Sequence, residues 1–193
     1  MRSTPRLRYL EDSMPLPVSP VRLTGHDLVL REWEEADLPA MVELFDEPEI
    51  AARTPLASPF DLAAARQYLE MIHRTRVEGQ RLHLAITVDG HKPLGEVLLN
   101  LSRGTMGYGV GTPHRGQRLA VRAGRLLTDY AHQVLQLPRV LLEIEADNAP
   151  SISVAQALDF RPTNDESEQV EGKARTFVLH VWAHDVPACP GDH

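Results

Sequence analysis

Apolar residues recur along this chain at two periods, and the alternation of those periods predicts a sheet interleaved with helices. Residues 28–33 read as a first strand. Leu38, Met41, Val42 and Phe45 then fall at helical spacing, with Asp37 placed to cap the helix and Pro48 to close it. A second helix opens near Asp61, carries Leu62, Ala65, Leu69 and Ile72 along one face and stops at Gly79. Leu82, Leu84, Ile86 and Val88 alternate strictly, and Asp89-Gly90 turns the chain into an antiparallel partner over 94–101. Residues 106–110 form a short strand. A glycine-bearing loop over 112–118 leads into a helix that turns Ala123, Leu126, Leu127, Tyr130 and Val134 inward. Residues 140–146 are the next strand, 150–158 a short helix and 176–183 the last strand, with an extra strand admissible near 162–164. The order βααβββαβαβ predicts an α/β (α+β) fold, with a mixed, mostly antiparallel central sheet and helices on both faces.

Pro5, Pro15, Pro17 and Pro20 mark residues 1–20 as an extended lead-in, residues 21–185 as one domain, and 186–193 as a loose tail. The 193 residues suit a single core, and the composition, 42% hydrophobic and 24% charged, is that of a globular protein rather than a disordered one. A net charge of −7 argues against a duplex nucleic-acid partner, which needs a cationic face to displace counterions from phosphates. The single cysteine, Cys189, excludes an internal disulfide and a multi-cysteine metal site. No apolar run is long enough for a membrane span, and Glu11 and Asp12 stand where a signal peptide needs its apolar stretch, so a cytoplasmic protein is expected. A homodimer is compatible with the chain.

The stretch Gly107-Tyr-Gly-Val-Gly-Thr-Pro-His-Arg-Gly-Gln-Arg-Leu-Ala120 is a strand, a small-residue loop and a helix start. Free amide N–H groups and the positive end of a helix dipole converge there, which suits a phosphate or pyrophosphate; Arg115 and Arg118 add charge. An ordinary strand–helix turn with solvated arginines reads equally well from this segment alone. A dinucleotide-binding fingerprint fails because Thr112 stands where the third glycine belongs. A P-loop fails because Gly172-Lys173 is followed by Ala174.

Residues 113–120, Pro-His-Arg-Gly-Gln-Arg-Leu-Ala, resemble the pyrophosphate loop of the GNAT superfamily of N-acetyltransferases. Downstream, Asn148-Ala-Pro-Ser151-Ile-Ser-Val-Ala-Gln-Ala-Leu-Asp-Phe160 resembles that family's second motif. The start of the resemblance, Leu23-Thr24 and Leu28-Val-Leu-Arg31, is similar to the subgroup that acetylates ribosomal-protein N-termini. The resemblance implies a GNAT fold over about residues 22–185 and acetyl-CoA as co-substrate. It places Gly109, Val110, Arg115, Gly116, Gln117, Arg118, Leu119, Ala120 and Asn148 around acetyl-CoA. Four positions depart from the pattern. Arg118 stands at the second Gly/Ala of the loop, where glycine's wider backbone angles are costly for it. Pro113 stands at the Gln/Arg position. Asp159 replaces a glycine in a turn whose left-handed backbone Asp tolerates. Ala155 stands where many members carry the tyrosine that protonates the departing thiolate.

Acetyl transfer to an amine needs no metal, and the nine scattered histidines predict none. It needs a base, because an alkyl ammonium with pKa about 10 is not nucleophilic at neutral pH. Glu143 is the first candidate: alternation puts Val140, Leu142, Ile144 and Ala146 on one face and Leu141, Glu143 and Glu145 on the other, and some amino-terminal acetyltransferases of the family keep a glutamate five residues before the motif asparagine. A plain solvated strand face reads equally well. Glu96, in apolar company with Leu94 and Leu98, is the second candidate. His83 alternates outward from Leu82 and Leu84 and is read as structural. Ser151 is the hydroxyl placed to support the thiolate, although a helix-start polar residue is its commoner role. The acidic residues Glu34, Glu35, Asp46, Glu47, Glu49, Asp165, Glu166 and Glu168 suit a cationic acceptor, a protein N-terminus or a small amine. The competing expectation, raised by Ala155 and Arg118, is a CoA-binding sensor or interaction module without efficient catalysis.

Overall fold

The computed structural model describes residues 17, 19–164, 168–171 and 176–186. Most of the expected lead-in and tail, together with Cys189, Asp165 and Glu166, lies outside these residues. The chain runs β1 (Arg22–Gly25), β2 (Leu28–Glu32), α1 (Leu38–Phe45), α2 (Pro48–Arg53), α3 (Leu62–Val77), β3 (Arg81–Thr87), β4 (Gly95–Asn100), β5 (Thr105–Val110), α4 (Leu119–Gln133), β6 (Arg139–Glu145), α5 (Ala149–Ala157), β7 (Arg161–Pro162), β8 (Glu168–Glu171) and β9 (Thr176–Asp185). Nine strands make one sheet in the order β1-β2-β3-β4-β5-β6-β9-β7, with β8 paired to β9. Every pairing is antiparallel except β5 with β6.

Two cores sandwich the sheet. Leu30, Leu84, Val97, Met106 and Leu142 pack on one face under α4 and α5, where Leu119, Ala123, Leu127, Ala131 and Ala155 complete the layer. Trp33, Met41, Phe45, Phe60, Leu69 and Ile72 form the other beneath α1 and α3, with Phe45 edge-on to Trp33, Phe60 and Tyr68. Burying each such side chain stabilises the fold by about 1.5–3 kcal/mol, so the apolar stripes, rather than local propensity, hold the helices in place.

The structure departs from the sequence reading at several elements. β1 was not expected. It joins β2 through His26 and Asp27, both with positive φ (50° and 53°), a tight hairpin turn with no glycine at its centre to announce it. Pro48 does not merely close α1; it is the first residue of α2. β8 was also missed. Leu62, Val88, Val134 and Ala146, expected inward, are exposed, each at or just beyond an element's end. Asp37 takes the capping position of α1 without a side-chain cap. Its carboxylate instead accepts two bonds from Arg31, at 2.6 and 2.8 Å, deep between β2 and α1. Finally, β3 is buried on both faces, so His83 is not outward: it is 3% exposed.

Candidate active site

The site begins where two parallel neighbours part. β5 and β6 share a single register pair, Thr105 with Leu141, fixed by the Leu141 N–H donating to the Gly104 carbonyl at 2.8 Å. Along its other edge β5 stays paired with β4 throughout. Beyond the strand, the Gly111 N–H donates to the Leu94 carbonyl. In an antiparallel ladder the bonding residues alternate, so Gly107 and Gly109 turn their backbone groups to β4 while Tyr108 and Val110 turn theirs toward the β6 side. Past Thr105 those groups face the gap. The Val110 carbonyl there meets Arg115 Nε at 3.4 Å.

At the mouth of the gap stands α4. Its first N–H groups have no intrahelical acceptor, and among the described residues no side chain caps them. Gly116 (φ 80°) and Arg118 (φ 56°) both adopt left-handed backbone, and residues 115–118 are exposed. Arg118 thus adopts the glycine-like backbone that the sequence reading held to be costly for it. A non-glycine residue pays roughly 1–2 kcal/mol there, and an uncapped helix start behind such a loop is a place where an anion can be held. Leu119 drives into the core at 2% exposure and anchors the loop. Ala120 is half-buried behind it and Gln117 is exposed. Arg115 is tethered from below: its guanidinium lies 2.7 Å from Glu49 of α2 and 3.7 Å from Glu47, which stands at that helix's N-cap position, and Glu47 also accepts from the Thr112 hydroxyl.

Paired residues of neighbouring strands share a face, and the registers place Glu96 beside Gly109, Leu98 beside Gly107 and Thr105 beside Leu141. Glu96, Gly107, Gly109, Glu143 and Glu145 therefore line the α3 side of the sheet around the gap. No atom lies within 4 Å of where a Cβ on Gly109 would stand, although α1 and α3 cover much of that face. The space over Gly109 is an open floor between carboxylates.

Those carboxylates are held differently. Glu143 is half-buried and pairs with Arg103, in the β4–β5 turn near the closed end of the gap. Glu145, for which a solvated strand face read equally well, is 7% exposed and lies 3.2 Å from Arg53 of α2. Glu96 is 5% exposed. Its Oε1 accepts from the Tyr68 hydroxyl at 2.7 Å and lies 3.2 Å from His83 Nδ1, while Oε2 and His83 Nε2 are buried without a partner. Burial first, and the Glu96 charge second, push the Tyr68 phenol well above its ordinary pKa, so it stays a donor.

On the opposite face, α5 starts just past the open end of β6. Asn148 caps it, its Oδ1 accepting from the Ser151 N–H at 3.2 Å. The Ser151 hydroxyl has no hydrogen-bond partner among the described residues. Tyr108 reaches across the gap from β5, donating to the Ser151 carbonyl at 3.2 Å. Burial raises its pKa, so it too remains protonated at neutral pH. Ala155 is fully buried under α4, and the Asp159 turn has the left-handed backbone (φ 65°) expected of it.

Sequence reasoning missed Tyr68, read Glu47 and Glu49 only as acids suited to a cationic acceptor, and set His83 aside. A signal was present: His83 and Glu96 each interrupt an apolar strand, and the hairpin joining those strands puts them on one face as diagonal neighbours. A cavity of about 530 Å³ lies elsewhere, near the Arg139–Asp185 ion pair at the closed end of β6. No described helix is long and apolar enough to cross a membrane.

Comparison with known proteins bears on the family and the fold. The acetyltransferase (GNAT) domain profile matches residues 27–161. An uncharacterized N-acetyltransferase, p20, of Bacillus licheniformis is 26% identical over 162 residues, which cover 81% of this chain and 91% of that protein. Mycobacterium smegmatis RimJ, solved with a CoA-disulfide, has a similar fold, with a TM-score of 0.73 at 19% identity over 93% of this chain and 91% of that one. RimL, a ribosomal alpha-N-protein acetyltransferase solved with coenzyme A, is similar with a TM-score of 0.75 at 16% identity over 88% of this chain and all (100%) of that one.

Proposed function

The chain belongs to the acetyltransferase (GNAT) family and is an acetyl-CoA-dependent N-acetyltransferase, and from that premise we propose that it moves the acetyl group directly onto a primary amine, a protein N-terminus or a small cationic amine. The observation that carries this reading is the gap between β5 and β6, with the Tyr108 and Val110 backbone groups turned into it and the uncapped start of α4 at its mouth. Loop amides over 116–120 would take the diphosphate, and the β5 edge would take the pantetheine arm and polarise the thioester carbonyl. The amine nitrogen attacks the carbonyl carbon from the α3 side, the C–S bond breaks, and the thiolate takes a proton with help from Ser151. A carboxylate lining the gap, Glu143 or Glu96, takes the proton that makes the amine nucleophilic. Arg115, held by Glu47 and Glu49, must exchange that grip for phosphate to contribute.

The test is incubation with acetyl-CoA and a panel of amines, including N-terminal peptides, n-butylamine and a polyamine, read by mass spectrometry with parallel measurement of free CoA thiol. Acetylated amine and thiol should appear one for one, without an acetylated enzyme. An acetyl group trapped on the protein would overturn direct transfer, and acetyl-CoA binding with no acetylated amine would favour the non-catalytic binding module.

A further inference from the structure

The Tyr68–His83–Glu96 cluster is built as half of a binding site. A buried carboxylate that serves only the fold has both oxygens satisfied, because an unpaired buried oxygen keeps its full desolvation penalty. Here two donors converge on Oε1: the Tyr68 hydroxyl at 2.7 Å and His83 Nδ1 at 3.2 Å, which must carry its proton to bond a group that can only accept. Tyr68 and His83 also touch each other, hydroxyl to Nδ1 at 3.3 Å with their rings edge-on, so the pair clamps one oxygen in place. Oε2 is left without a partner in a residue 5% exposed. The register sets Glu96 beside Gly109, over which the floor is open, one residue from the Tyr108 and Val110 groups that face the gap.

We propose that Glu96 is the base that takes the proton of the acceptor, and that the acceptor presents a primary ammonium on a slender arm, seated over Gly109. This rests on the acetyl-transfer reading above and assigns the base and the acceptor class within it. An ammonium supplies what Oε2 lacks, a cationic N–H donor. One amine proton passes to Glu96; the neutral nitrogen attacks, the C–S bond breaks, and the second amine proton reaches the thiolate. Glu96 then releases its proton to solvent, so each turnover yields amide, CoA thiol and one proton. Tyr68 and His83 are positioning residues. The groups around Glu96 are few. Tyr68 faces it from α3 and His83 from β3, with the Arg81 charge acting on the phenol. β5 brings two glycines, and across the gap Glu143 and Glu145 are paired with Arg103 and Arg53. Among the described residues, no other carboxylate around the gap is both buried and left with an unpartnered oxygen.

The whole enzyme, n-butylamine and acetyl-CoA test this. Glu96→Gln should lower kcat/KM for n-butylamine by about 10²–10⁴ at neutral pH, with the loss shrinking as pH approaches the amine's own pKa, while the thermal shift induced by CoA is unchanged. Tyr68→Phe removes a donor that favours the carboxylate, so the acid limb of kcat/KM should move to higher pH; a merely structural role would lower the rate without moving that limb. The branched tert-butylamine should be a poor acceptor. Glu96→Gln activity within threefold of wild type, or an unmoved limb in Tyr68→Phe, would overturn the assignment. Should wild type acetylate no amine at all, the transfer reading fails, and calorimetric titration with n-butylammonium still judges this site: equal affinity in wild type and Glu96→Gln overturns it.

Discussion

Glu96 and Glu143 sit on the same face of one sheet, on either side of the same gap, and the protein treats them in opposite ways. Glu96 lies beneath α3, nine-tenths buried, with one oxygen doubly held and the other free. Glu143 is only half-buried, and its partner Arg103 is 45% exposed. An exposed pair of that kind contributes about 0–1 kcal/mol and is screened by salt, whereas a buried carboxylate feels a low dielectric in which every donor counts. Strand alternation assigns residues to a face; what covers the face decides whether a carboxylate there is solvated, neutralised or poised.

Mutations on the two flanks can break this contrast. After Glu96→Gln itself, the largest effect is expected on the Glu96 flank from Gly109→Val. No atom lies within 4 Å of the new Cβ, so the fold should hold, but the side chain would stand where the acceptor reaches Glu96. Loss of about 10²-fold in kcat/KM for the amine, with an unchanged melting temperature, is the expected outcome; an active variant would place the acceptor elsewhere. Next comes the mouth of the gap. Gly116→Val forces a β-branched residue to φ near 80° and crowds the anion cradle, so acetyl-CoA affinity measured by calorimetry should fall by about 1–3 kcal/mol. Unchanged affinity would move the diphosphate away from the 116–120 loop. The smallest effect is expected from Glu143→Gln, with turnover within about threefold of wild type, because only an exposed ion pair is lost. A fall of about 10²–10⁴, rescued at high pH, would instead put the base on β6.

The buried Arg31–Asp37 pair gives a stability control away from the gap. Arg31→Met strands the Asp37 carboxylate between β2 and α1 and should cost about 3–5 kcal/mol in denaturant unfolding. A cost under 1 kcal/mol would mean that Asp37 reaches solvent.

How much of this was legible beforehand follows from range. Period-2 and period-3.6 patterns located β2, α1, α3, β3, β4, β5, α4, β6, α5 and β9, since burial of one face imposes its period on the residues themselves. β1, α2 and β8 escaped because each is short, and a few residues carry too little periodicity to stand above chance. Glycine spacing in 107–120 pointed to the loop proposed for the diphosphate, for backbone freedom there is a property of the residue. The left-handed Arg118 was not visible, since its strain is offset by contacts such as the burial of Leu119.

The sequence by itself determined the longer elements, carried the resemblance that gives the family and pointed to the loop proposed for the cofactor, all of which depend on local pattern. Only the tertiary structure decided what surrounds each glutamate. Glu96, His83 and Tyr68 come from β4, β3 and α3, and their distances depend on strand register and on how α3 lies across the sheet. So does the fate of Arg115, whose acidic partners come from an α2 segment more than sixty residues away. Solvation of a charge is set by everything that surrounds it, and no stretch of chain carries that information alone.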